Sequence, residues 1–254
     1  MNCSRMVVLG LAACTVCGTA QAGQPLETET ARLPLHGHGN MQLVFEYQTS
    51  PTGKETAFPL ALEYGITDRL EIAVEPVVYT RIQPKIGSSA KGFGDTEATL
   101  TYLLARETDS LPAFAVAGEV KFPTTKNPLI GTGGTDFRAL AIASKRFGRF
   151  DVHANLGYTF VGGYRGNHFG NVADGALAIE YDATPQVTLM TEVLGTIGSG
   201  SEVPNGPAQE AAANTVTGLV GAEYRPNEWL GLALGLTYDN DRAWLVRPAM
   251  TFRF

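Results

Sequence analysis

From Gly39 to the C-terminus, apolar residues alternate with polar or small ones in runs of about ten, and a turn follows each run. Twelve such runs cover roughly 40–49, 57–66, 70–80, 94–105, 113–123, 135–147, 150–162, 172–182, 186–197, 214–225, 229–238 and 243–254. In the run 229–238, Leu230, Leu232, Leu234, Leu236 and Tyr238 share one face, and Gly231, Ala233, Gly235 and Thr237 share the other. In 150–162, Val152, Ala154, Leu156, Tyr158 and Phe160 stand against Asp151, His153, Asn155 and Thr159. A period of two is the strand signature, and runs of this length suit strands that cross a bilayer. A helical period is nowhere sustained, and no apolar stretch reaches the ~18 residues of a membrane helix.

Connections alternate between short and long. Thr67-Asp68-Arg69, Gly148-Arg149, Thr184-Pro185 and Pro226-Asn227-Glu228 are short, and longer loops fall near 81–93, 124–134, 163–171 and 199–213. Tyr64, Tyr102, Phe147, Tyr181, Tyr224 and Phe252 close alternate runs on the apolar face, which predicts an aromatic belt at one membrane interface. A soluble sandwich also alternates along its strands, but it needs neither that belt nor an apolar face on every strand. The expected fold is therefore all-β: a transmembrane antiparallel up-and-down β-barrel of about 12 strands.

The N-terminus is different. Arg5 precedes the apolar stretch Met6 to Ala13, and Ala20-Gln21-Ala22 reads as a cleavage site. Leu11-Ala12-Ala13-Cys14 resembles a lipobox, so lipidation at Cys14 is the rival reading. The expected organisation is a cleaved signal peptide over 1–22, a loose periplasmic lead-in over 23–38 and an outer-membrane barrel over 39–254. Cys3, Cys14 and Cys17 all lie in the signal segment, so no disulfide framework is expected. The formal charge is −6, and removing Arg5 leaves 18 − 25 = −7. With no basic patch or stripe, nucleic acid is not an expected partner.

Several segments resemble an outer-membrane family of meta-pathway phenol-degradation proteins. They are Tyr64-Gly65-Ile66-Thr67-Asp68-Arg69-Leu70-Glu71, Gly92-Phe93-Gly94-Asp95-Thr96, Lys121-Phe122-Pro123-Thr124 and His153-Ala154-Asn155-Leu156-Gly157-Tyr158, together with the terminal Phe254. The family pattern places Gly after Pro-Thr, where this chain has Thr125. The resemblance implies an outer-membrane transporter-like barrel, with aromatic or other hydrophobic compounds as its solutes. Phe252 and Phe254 look like a C-terminal signal for the barrel-insertion machinery.

If the apolar face meets lipid, the other face lines the interior, where thirteen acids would outnumber six bases. Candidate lumen-lining and selectivity residues are Glu71, Glu75, Asp95, Glu97, Glu119, Lys121, Arg138, Asp174, Glu180, Glu192, Glu223 and Arg247. A low-dielectric wall strengthens the field of confined charge, so an open acidic lumen would attract cations. Opposite charges could equally pair as structural ladders. Gly231, Ala233, Gly235, Ala176 and Ala178 on the inner face would leave room for a narrow pore.

Other constellations lack partners. Ser88-Ser89-Ala90-Lys91 fits S-x-x-K without its companion motifs. His36-Gly37-His38 is too small a ligand set for a metal site. Gly131 to Gly134 has no following helix to make a phosphate loop. His153 and Asn155 would serve a lipid-modifying enzyme only with a serine at the lipid boundary, and Ser144 is a weak candidate for it. The expectation is a channel or transporter for small solutes, without catalytic residues or cofactor. A non-conducting scaffold or binding barrel is the alternative, and a lipid-modifying enzyme is the third reading.

Overall fold

The computed structural model describes residues 26–163, 170–198 and 214–254. The expected signal peptide, with cleavage after Ala22 or lipid on Cys14, lies outside the described residues. Among the described residues, fourteen strands form one antiparallel sheet. They are β1 (Gly39–Val44), β2 (Glu46–Thr49), β3 (Gly53–Thr67), β4 (Leu70–Pro84), β5 (Ala90–Gly92), β6 (Thr96–Ala105), β7 (Ala113–Phe122), β8 (Asp136–Phe147), β9 (Phe150–Phe160), β10 (Val172–Thr184), β11 (Val187–Gly198), β12 (Thr215–Tyr224), β13 (Leu230–Asp239) and β14 (Trp244–Arg253). β1 and β2 are one wall strand interrupted at Phe45, and β5 and β6 together make another, interrupted at 93–95. The wall thus has twelve staves, as the alternation predicts.

Closure joins the first strand to the last. Asn40 of β1 pairs with Arg253 of β14, and Val44 pairs with Ala249. Gly39 and Phe254 exchange both backbone hydrogen bonds at 2.9 and 3.0 Å. A closed sheet leaves no edge, which is what lets strands satisfy every backbone group in hydrocarbon. Among the described residues no helix is long and apolar enough to cross a membrane.

Alternation became the two faces of the barrel. On β13, Leu232, Leu234, Leu236 and Tyr238 point outward and exposed, while Gly231, Ala233, Gly235 and Thr237 are buried. Tyr64, Tyr102, Phe147 and Tyr224 are exposed on the outer face, as the belt requires. Phe252 stacks on Trp229 with ring centroids 6.4 Å apart, and Phe150 meets Tyr181 at 4.9 Å. Lys145 falls on the outer face by strict alternation, and the β8 register carries no bulge there. Its long side chain runs to the 106–112 turn instead, where Nζ meets Glu107 at 3.2 Å and donates to the Asp109 carbonyl at 3.1 Å.

Two strands run about four residues past their sequence boundaries. β3 begins at Gly53 and β4 runs to Pro84, so this hairpin extends beyond its neighbours. The tight turn Ser50–Gly53 that starts it is closed by Ser50 N–H donating to the Gly53 carbonyl at 2.9 Å.

The largest departure is the segment expected to be a loose periplasmic lead-in. Leu26, Thr28, Glu29, Thr30 and Ala31 are buried, inside the barrel. The polar composition of 23–38 suggests solvent, but a barrel interior is itself polar and offers the same hydrogen bonds. The chain leaves the lumen at Leu35, turns at Gly37 and enters β1. Gly37 sits at φ +79°, a left-handed conformation that glycine adopts without steric cost, and its N–H donates to the Gly65 carbonyl at 3.0 Å.

Candidate functional site

The lumen is the candidate site, and its centre is the segment 26–33. This segment joins no ladder, so its backbone needs partners from side chains. Four of its N–H groups find them on the inner wall. Glu192 Oε2 on β11 accepts from Glu27 at 2.9 Å and from Thr28 at 2.7 Å. Asn155 Oδ1 on β9 accepts from Glu29 at 2.6 Å, and Asn155 Nδ2 returns a bond to the Glu29 carbonyl at 2.9 Å. Ser144 Oγ on β8 accepts from Ala31 at 2.9 Å. Ion pairs add two further tethers: Arg247 on β14 holds Glu27 at 2.8 Å, and Asp151 on β9 holds Arg32 at 2.8 Å. The segment is thus gripped from four strands on several sides of the barrel.

Apolar contacts complete the seat. Leu26 packs with Ala178, Met190 and Leu219. Ala31 packs among Ala113, Ala115, Ala117, Leu103, Leu140 and Ile142, with Leu33 alongside. The small inner residues that suggest an open pore are therefore partly filled. Ala178 is fully buried beneath the segment.

Glycines also make room for ions. Gly231 on β13 lies between Glu223 on β12 and Arg253 on β14, which meet at 2.7 Å over it. A Cβ on Gly231 would lie 2.5 Å from Glu223 Oε1. Gly157 does the same on β9, where Asp174 of β10 reaches over it to clamp Arg138 of β8 at 2.7 and 3.2 Å. The fork of a guanidinium suits such two-point contact. In both places the missing side chain makes room for a charged bridge.

The predicted lumen residues fall into distinct settings. Glu119 on β7 lies 3.5 Å from Arg138, and Lys121 pairs with Asp136. Arg247 meets Glu46 as well as Glu27, both at 2.8 Å. Glu180 Oε1 lies in hydrogen-bond contact with His153 Nε2 at 3.1 Å. Glu71, Glu75 and Glu97 face inward on β4 and β6. Asp95 departs from the wall: it lies between β5 and β6, where its carboxylate accepts the Thr125 N–H at 3.1 Å and braces an outer loop. Phe252 and Phe254 sit at the closing seam, beside Trp229 and Gly39 respectively.

Electrostatics differ between the segment and the turn below it. Burial pushes the Glu29 carboxyl well above the usual range, and the neighbouring Glu75 adds to this. Burial likewise raises Glu27, with Arg247 opposing. Glu107 in the 106–112 turn goes the other way. Against the upward push of desolvation, the Arg146 N–H and the side chains of Arg32 and Lys145 hold it at about 2.

Ser144, His153 and Glu180 form a chain of hydrogen bonds of 2.8 and 3.1 Å. Ser144 Oγ accepts from the Ala31 N–H and keeps both a proton and a second lone pair, so it can bond His153 Nδ1 in either tautomer of the ring. This resembles a nucleophile–base–acid relay. Ser144 and His153 are each 1% exposed and face inward, away from the lipid boundary that a lipid-modifying enzyme requires. Here the relay orients an anchor for the segment. Sequence reasoning missed the segment and its anchors Ser144 and Asn155, because no periodicity marks a stretch held only by side chains.

With this geometry in view, comparison with known proteins places the chain. The family described as "Putative MetA-pathway of phenol degradation" matches residues 62–254. The chain belongs to that family. The COG4313 outer membrane channel from Pseudomonas putida F1 is similar in fold, with a TM-score of 0.69 at 16% identity over 87% of this chain and 97% of that one. The NanC porin gives 0.60 at 10% identity over 84% and 98%. The KdgM porin, in complex with disordered oligogalacturonate, gives 0.59 at 12% identity over 85% and 99%. No curated protein matches. The chain shares the barrel fold of these outer-membrane channels and porins.

Proposed function

We propose that the protein passes small solutes across the outer membrane through a narrow lumen with an acidic wall, along a path that residues 26–33 occupy. The observation that carries this reading is how the segment is held. Side chains bind it at discrete points, and no ladder fuses it to the wall. Such a segment can shift without breaking the barrel, which a fifteenth strand could not do. The fold shared with channels and porins supports the transport role. The family name supports aromatic or hydrophobic solutes, while the glutamates of the inner wall support a preference for cations.

The same segment favours a second reading, a closed barrel that serves as scaffold or binding protein. Single-channel recording of the refolded protein in a planar bilayer under a salt gradient separates the two. Steady openings with a cation-biased reversal potential are expected, and Glu97→Gln or Glu119→Gln should weaken the bias. Silence from a demonstrably folded barrel would favour the scaffold. Anion preference would refute the acidic path.

A further inference from the structure

The inner wall over β4 and β6 carries carboxylates that the protein's own cations do not balance. Glu75 on β4 stands directly opposite Glu97 on β6. Glu71 lies four residues earlier on the same face of β4. Glu71 and Glu75 are each only 7% exposed. Among the described residues, Glu71, Glu75 and Glu97 form no hydrogen bond and no close ion pair. The nearby cations are engaged elsewhere: Lys121 with Asp136, Arg138 with Asp174 and Glu119, and Arg247 with Glu27 and Glu46. Glu29 of the internal segment adds a further carboxylate, within electrostatic reach of both Glu75 and Glu71.

Like charges directly opposed across strands repel, and a buried charge is retained only with a counter-charge. Ion pairs or hydrogen bonds hold Glu119, Asp174, Glu180, Glu192 and Glu223 elsewhere on the wall, so three inward glutamates without such partners point to a cation that comes from outside. A metal ion fits poorly. Among the described residues, no three His, Cys, Asp or Glu side chains come together as metal ligands. The carboxylates are instead strung out. Four residues of strand separate Glu71 from Glu75 by about 13 Å, more than one ion can span. An ammonium group has three donors and no acceptor, which suits a wall of acceptors.

We propose that Glu71, Glu75 and Glu97 form a binding station for an organic cation with two or more ammonium groups on an extended chain. This deepens the transport reading and rests on the lumen being the solute path. One ammonium would sit between Glu75 and Glu97, and a second would reach towards Glu71.

The test is thermal unfolding of the refolded full-length barrel in detergent. Spermidine is compared with sodium chloride and with magnesium chloride at matched ionic strength. Spermidine should raise the unfolding temperature beyond either salt, in a saturable manner. Glu75→Gln should weaken the apparent affinity about tenfold or more, because a charge-assisted contact becomes a neutral one. Glu97→Gln should act in the same direction, and it carries the test if the Glu75 variant fails to refold. Glu228→Gln, on an exposed turn, should leave the spermidine effect unchanged. Absence of a shift, or an equal shift in the Glu75 and Glu97 variants, would overturn the proposal. A magnesium effect as large as that of spermidine would make this an inorganic cation site and would also overturn it. Because the readout needs no conduction, spermidine binding by a silent barrel would uphold the station and refute the channel. Conduction without a spermidine effect would refute the station alone.

Discussion

At the scale of single residues, the same acidic side chain behaves differently according to its surroundings. Glu107 lies in a turn and meets Arg32 and Lys145, while the Arg146 N–H donates to it at 3.0 Å. These contacts hold it at about 2 against an unperturbed 4.5. A folded-state value below the unfolded one contributes stability above the unfolded value, and that stability is lost as pH falls from about 4.5 towards 2. Glu107→Gln should therefore be less stable than the parent at neutral pH, and the gap should narrow across that acid window. Urea unfolding of the detergent-refolded protein at a series of pH values measures it. A gap independent of pH would show that the loss comes from packing. Nothing in the local pattern singles out Glu107, since its cations come from the lumen segment and from β8.

At the scale of elements, the strands and the internal segment follow different rules. A strand shows itself through period-two alternation, because one face must meet lipid and the other the interior. The boundaries of β7, β8, β9 and β13 lie within two residues of the runs read from the sequence. The segment 26–33 shows no period, because its contacts are specific bonds to Glu192, Asn155 and Ser144. Asn155 closes two bonds with the Glu29 backbone, so Asn155→Ala would leave a buried N–H and C=O without those partners. Such a loss costs on the order of 1–3 kcal/mol, or about five- to 150-fold in a local opening equilibrium. Hydrogen exchange at the Glu29 amide should accelerate by that factor, while amides in the β9–β10 ladder should be unaffected. Equal acceleration in the ladder would mean that Asn155 supports the barrel as a whole.

At the scale of the whole molecule, function depends on the balance between charge held in pairs and charge left free to meet a solute. Ladders such as Glu119–Arg138–Asp174 and Glu223–Arg253 neutralise one another locally. The glutamates of β4 and β6 have no such counterpart, and on the proposed transport reading they would set the sign of the lumen. Screening length falls from about 10 Å at 0.1 M salt to about 3 Å at 1 M. Cation preference, read from reversal potentials at a fixed salt ratio, should therefore decline as the mean salt concentration rises through that range. A preference independent of salt would locate selectivity in direct contact at a dry constriction.

The sequence by itself determined the class of fold, the approximate staves, the outward belt and, Asp95 excepted, which of the predicted residues face inward. Those properties follow from alternation along one strand and from turn chemistry, which are local. Only the tertiary structure decided what the inward residues do. Whether Glu223 is paired depends on Gly231 and Arg253, on two other strands. Whether Ala178 borders open space depends on Leu26, 152 positions earlier in the chain. Closing the sheet brings those residues together, and no local pattern records which side chains then meet across the lumen.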